Sequence, residues 1–245
     1  IRTQVSSFLY FEKGANKAQV VNNLDWTSPL SAIEFLRDIG KHFSVNQMLA
    51  KDSVSSRLES GGISYTEFSY QVLQSLDFLE LYRRYQCTLQ LGGSDQWGNI
   101  VAGLDLIRRV EGGSGHALTI PLLTKTDGSK FGKTASGSIW LDAAMTSPYA
   151  FFQYWLNTDD KDVVKFLKVF SFKSHDEITE LEKAHEANPG LREAHRALAR
   201  ELTSLVHSPE ISERVEEAAK ALFGQGDLAA LDAATLSGAL SELPR

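Results

Sequence analysis

Read as apolar and polar positions, the chain changes character near residue 87 and again near residue 148. Before the first change, apolar residues recur at helical spacing. Leu30, Ile33, Phe35, Leu36 and Ile39 make one stripe, the recurrence of an amphipathic helix, with Ser28 as its N-cap and Pro29 at its first position. Val20 and Val21, ahead of two asparagines, read as a short strand. Short helices are expected over 43–49 and 53–58, ending at Gly61–Gly62, then a long helix over 66–85 capped by Thr66.

After Cys87 the pattern becomes "CTLQL", then "GGSDQWGN", then a helix over 100–110, then "HALTIPLL" over 116–123. Two strand–loop–helix passages predict a parallel α/β sheet, or part of one. Beyond Ser147–Pro148 only helical patterns occur, over 149–156, 160–170, 174–186, 191–206, 208–222 and 233–240. Ser174 with Glu177 fits a capping box, and Asn188-Pro189-Gly190 is a stop signal. The expected division is an α/β part over 1–147 and an all-helical part over 148–245.

Composition narrows this picture little. Of 245 residues, 42% are apolar and 23% charged, ordinary for a globular chain. No apolar run has the length of a membrane span. The net charge of −6 argues against a sequence-independent nucleic-acid coat. The single cysteine, Cys87, forms no internal disulfide and suits a reducing cytoplasm. Histidines and cysteine show no zinc-ligand spacing, so no metal site is expected. His42, His175, His185, His195 and His207 read as surface or packing residues. The chain opens on Ile1 rather than Met, so an upstream segment is expected.

Three stretches carry candidate chemistry. In the helix expected over 66–85, Tyr70, Gln74 and Asp77 stand at i, i+4 and i+7 and share a stripe. A solvated face is one reading. Exposed faces, however, usually carry Lys, Glu and Arg, and this stripe has none. A phenol, an amide and a carboxylate suit a small polar ligand. In "LGGSDQWGN" the glycines let backbone approach a ligand beyond the carboxyl end of a strand. Asp95 is able to accept two ribose hydroxyls, and Gln96 is a neutral donor; a glycine turn with Asp95 capping the next helix is the plainer alternative. "TKTDGSKFGKTASGS" contains Gly132-Lys133-Thr134, the ending of a phosphate-binding P-loop. The spacing argues against one. Asp127 stands where the first glycine is required, and a loop, not a helix, follows Thr134. Lys130 and Lys133 fit a mobile cationic clamp instead.

"YTEFSYQVLQSLDFLELYRRY", "LQLGGSDQWGNIVAGLDLIRR" and "SKFGKT", in this order, resemble bacterial tyrosyl-tRNA synthetases, class I enzymes; "NNLDW", "FLRDIGKHFSVN" and "SPYAFFQYWLNTDD" extend the likeness over the chain. The resemblance implies the C-terminal part of a Rossmann-like catalytic domain followed by a helical domain meeting the tRNA anticodon stem. It implies that Asp77 bonds the substrate phenol, that Tyr70 and Gln74 lie near the amino group of tyrosine, and Gln96 near its carboxylate. Gly93 and Asp95 match residues that hold the adenylate ribose. Lys130, Lys133 and Thr134 match the KMSKS-type loop, which stabilises pyrophosphate as it leaves. The implied activity is ATP-dependent activation of L-tyrosine and its transfer to tRNA(Tyr). ATP is a substrate, accompanied by Mg2+, and no tightly bound cofactor is implied. Residues 30–65, with Tyr65, match a homodimer interface. The family's paired-histidine motif for the ATP phosphates belongs before residue 1, and no His-x-Gly-His occurs here. Its usual C-terminal RNA-binding module is also absent after Arg245, and Leu76 stands where a tyrosine is common. A non-catalytic RNA-binding or dimerisation fragment of such an enzyme is the alternative.

Overall fold

Serine side chains at Ser31, Ser64, Ser147 and Ser174 cap four helices of this protein. The computed structural model describes residues 2–128, 131, 133–134, 137–222 and 233–241. In chain order these form α1 (Arg2–Val5), α2 (Leu24–Thr27), α3 (Ala32–Glu34), α4 (Val45–Leu49), α5 (Asp52–Ser60) and α6 (Tyr65–Tyr85). Next come β1 (Leu89–Gly93), α7 (Trp97–Glu111), β2 (His116–Ile120), β3 (Lys133–Thr134) and β4 (Gly137–Ser138). The remainder is helical: α8 (Pro148–Leu156), α9 (Val163–Phe170), α10 (His175–Ala187), α11 (Glu193–Val206), α12 (Pro209–Leu222) and α13 (Ala233–Ser241). The α/β-then-helical order expected from the sequence is what folds.

Two helix starts and one expected strand differ from expectation, for local reasons. The first helix does not open at Ser28–Pro29. Ser31 accepts from the Glu34 amide and Glu34 accepts from the Ser31 amide, so the capping box holds the start at Ala32. The chain continues as a π-helical stretch over Phe35–Ile39 and a 3-10 turn over Gly40–His42. The long helix is capped by Ser64 with Glu67, not by Thr66. Val20–Val21 forms no strand; the segment leads into α2 instead.

The chain divides by packing into two compact units, one of residues 20–123 and one of residues 1–19 and 124–245. In the first, α6 and α7 pack along each other, closely enough that a side chain at Gly103 would meet the Phe78 ring at 2.9 Å. Trp26, Ile39, Met48, Val72, Leu76, Phe78, Leu79, Leu106 and Ile107 form the core. β1 and β2 pair in parallel, Leu89 opposite His116 and Gly93 opposite Ile120. Leu89, Leu91, Leu118 and Ile120 stand 50–61% exposed, so one face of this small sheet is open and apolar.

In the second unit α8, α9, α11 and α12 surround a core of Phe151, Phe152, Trp155, Val163, Phe166, Leu167, Leu198 and Val215. The segment after Thr124 belongs to this unit because specific bonds hold it there. Buried Asp162 accepts from the Thr126 amide at 2.8 Å and from its hydroxyl, and Phe131 packs among four aromatic rings of α8 and α9. This cut by packing is a different one from the functional division at 147/148 that the resemblance implies.

Candidate functional site

The capping box at Ser64 sets the register of α6 and so the face on which Tyr70, Gln74 and Asp77 emerge. Tyr70 is exposed; Gln74 and Asp77 are half-buried. Asp77 is the best-held group of the three. Its Oδ1 accepts from the Trp26 indole Nε1 at 2.8 Å, and its Oδ2 accepts from Asn23 Nδ2 at 3.2 Å. Trp26 is itself buried, and the Arg84 guanidinium lies over its ring at 5.4 Å. A carboxylate has about four lone-pair positions, so each oxygen, fixed by one donor, keeps capacity for another. Such a group is aimed and still open to a ligand hydroxyl.

The loop after β1 belongs to the same unit. β1 ends at Gly93, a 3-10 turn spans Ser94–Gln96, and α7 begins at Trp97. Gln96 Nε2 donates to Asp95 Oδ2 at 2.9 Å, and Asn99 Nδ2 donates to Gln96 Oε1 at 3.3 Å. A side chain at Gly93 would stand 2.6 Å from Asp95 Oδ1. Glycine leaves room there for the Asp95 carboxylate, which folds back over the strand end. No side chain at the Gln96 N-cap position closes the start of α7.

The third stretch lies in the other unit. Lys133 and Thr134 form β3, which pairs antiparallel with β4, Lys133 opposite Ser138 and Thr134 opposite Gly137. Gly137 and Ser138 thus pair as a strand with Lys133 and Thr134, where a P-loop would run into a helix. Lys130 lies outside the described residues. Phe131, between the two lysines, has its ring 5.1–5.2 Å from those of Phe166 and Phe170 and 5.7 Å from that of Trp155. In this unit, a cleft of about 850 Å³ is lined by Lys125, Thr126, Ser147, Gln153, Tyr154 and Asp162, among others. The amide Nε2 of Gln153 is buried there without a hydrogen-bond partner.

Tyr70, Gln74, Asp77, Gly93, Asp95 and Gln96 accordingly share one compact unit, and Lys133 and Thr134 belong to the other. Sequence reasoning missed Asn23 and Trp26 as the donors that aim Asp77. The available signal was "NNLDW" itself, which sets an amide and an indole N–H three positions apart, one turn of helix. It also missed Phe131 as an anchor, although an aromatic residue inside a glycine-and-lysine loop is a signal of packing.

A parallel strand pair with a glycine-rich loop at its carboxyl end, and a helical unit bearing the lysine loop, belong to the class I synthetase architecture. Residues 1–224 match the family model for tRNA synthetases class I (W and Y), and the chain belongs to that family. Its relatives narrow the type. The tyrosine–tRNA ligase of Streptomyces griseus is 65% identical over 246 residues, covering 100% of this chain and 58% of that protein. That of Thermobifida fusca is 57% identical over 253 residues, covering 100% of this chain and 59% of that protein. Among solved structures, the C-terminally truncated mitochondrial tyrosyl-tRNA synthetase of Aspergillus nidulans superposes with a TM-score of 0.72 at 31% identity, covering 91% of this chain and 65% of that one. The chain spans about 58% of the length of the Streptomyces griseus relative.

Proposed function

We propose that this chain is part of a tyrosine–tRNA ligase and supplies it with the amino-acid-reading helix, the ribose loop, the lysine loop and the helices that meet the tRNA. The observation that carries the reading is Asp77, a carboxylate held from both sides by Trp26 and Asn23 on the face that also presents Tyr70 and Gln74. An aimed carboxylate with spare acceptor capacity takes the phenol O–H of tyrosine. A ring without that hydroxyl makes no bond to the carboxylate's remaining acceptor capacity and loses that hydrogen bond. Tyrosine enzymes are the established example of this kind of discrimination.

Activation is attack of the tyrosine carboxylate on the α-phosphorus of ATP, which enters with its Mg2+ and leaves pyrophosphate. Transfer to the 3′ end of tRNA(Tyr) follows. Neither step needs a covalent enzyme intermediate, so positioning and charge stabilisation dominate. In this reading Tyr70 and Gln74 take the amino group and Gln96 the carboxylate. Asp95 accepts from the ribose, with Gly93 giving the room. Lys130, Lys133 and Thr134 meet the pyrophosphate as its charge develops, where charge-assisted bonds are strongest. Residues 1–147 act as the catalytic part and 148–245 as the anticodon-stem part. The exposed Ile33, Leu36, Val45, Leu58 and Tyr65 form a homodimer interface. Among the described residues no helix is long and apolar enough to cross a membrane, which is compatible with the proposed cytoplasmic location.

The test is tyrosine-dependent ATP–pyrophosphate exchange by the full-length protein. Asp77→Asn is expected to lower kcat/KM for tyrosine about 10- to 100-fold, the worth of one hydrogen bond to a charged group, with unchanged Tm. Absence of exchange in the full-length protein would favour a non-catalytic RNA-binding or dimerisation role and sink this reading. The 245-residue chain alone is expected to show almost no exchange.

A further inference from the structure

Outside the synthetase site, the helical unit gathers three metal-ligating side chains from three elements. Asp160 sits in the turn between α8 and α9, His185 in the last turn of α10, and His195 in the first turn of α11. One ligand atom from each lies within 4.8 Å of the others. The two imidazole centroids are 5.4 Å apart. His195 Nε2 is 3.2 Å from Asp160 Oδ1 and 3.1 Å from the Thr158 carbonyl, and His185 Nε2 is 3.1 Å from the Asp160 carbonyl. His195 is fully buried and His185 nearly so, while the Asp160 side chain is 59% exposed.

A purely protonic account leaves this cluster short. If each ring donates Nε2–H to its carbonyl, each keeps a buried Nδ1 with no hydrogen-bond partner. Unpaired buried polar atoms are costly and call for an explanation. A neutral imidazole with a free ring nitrogen is the form that ligates metals. Two imidazoles and one carboxylate are the donor set of Zn2+ and similar borderline ions. The Thr158 and Asp160 carbonyls next to the rings are the kind of acceptor that orients a ligating histidine. The exposed carboxylate offers an entry path and room for water at the remaining coordination positions.

We propose that Asp160, His185 and His195 form a divalent transition-metal site of the Zn2+ class, tying the α8–α9 turn to α10 and α11. The site is independent of the proposed aminoacylation chemistry.

The experiment titrates the full chain, stripped with chelator, with Zn2+ by calorimetry and with Co2+ by visible absorption. One saturable ion per chain is expected, with a Co2+ ligand-field band and a Tm that rises with Zn2+. Asp160→Asn changes an exposed group and is expected to leave the metal-free Tm unchanged while weakening Zn2+ binding at least about tenfold. His185→Gln should weaken it further. Absence of a saturable ion in the unsubstituted chain would overturn the proposal, leaving the cluster a hydrogen-bonded staple. Binding that survives undiminished in both variants would overturn it equally, by placing the ion on other histidines such as exposed His175.

Discussion

In the helical unit Phe152, Val163, Leu167 and Leu198 are all but sealed from solvent; in the sheet-bearing unit Leu89, Leu91, Leu118 and Ile120 are half exposed or more. The polar groups differ in the same way. The helical unit ties its buried carboxylates into pairs, Asp162 to Thr126 and Glu216 to Arg200 at 2.7–2.9 Å. The sheet-bearing unit leaves Tyr70 and Asp95 exposed and aims Asp77 without filling its acceptor capacity. One unit seals a helical core beside its cleft. The other keeps an apolar sheet face and a polar helix stripe open, and open surfaces of this kind mark packing or binding faces.

The sharpest way to break that contrast is truncation. Phe152→Ala, in the sealed core, should cost about 3–5 kcal/mol of stability, read as a lowered denaturant midpoint. Leu118→Ser, on the open sheet face, should change stability within about 0.5 kcal/mol. A large loss at Leu118 would show that its face is covered in solution.

A smaller effect is expected from pH. Burial holds the imidazoles of His195 and half-buried His207 below their ordinary value. The unfolded chain therefore takes up these protons first. Stability of the helical unit is complete above a pH of about 6.5, the unperturbed imidazole value, and falls as pH drops below it. His207→Gln should flatten the acid side of a Tm–pH profile; an unchanged profile would remove His207 from the account. A modest effect is expected at a helix end. Ser64→Ala removes the acceptor for the Glu67 amide and should cost about 1 kcal/mol, measured by chemical denaturation. A value near zero would show that packing alone sets the start of α6.

Much of the fold was legible in the sequence, and the reason is range. Capping boxes, glycine stops and helical periodicity act over a few residues. That is why α6, α7, α8, α10 and α11 fall close to where the pattern puts them. Where two local signals competed, the stronger bond won: Ser31 with Glu34 displaced the start from Ser28–Pro29. The candidate site was legible as a set of motifs, because Tyr70, Gln74 and Asp77 share a stripe by helical geometry alone and Gly93, Asp95 and Gln96 are neighbours in the chain.

What the sequence by itself determined, then, was the order of elements, the faces of the helices and the family. Only the tertiary structure decided which distant groups meet. Trp26 reaches Asp77 across 51 positions, and Asp162 holds Thr126 across 36. Phe131 enters an aromatic cluster built by α8 and α9. His185 and His195 look unremarkable along the chain, yet the turn at Asn188–Leu191 sets α10 against α11 and brings both rings onto Asp160. The physical reason is the same in each case. Local bonds fix where an element starts and which face is apolar, but the partner of a polar side chain depends on which faces pack, and that is settled by the burial of apolar surface over the whole unit.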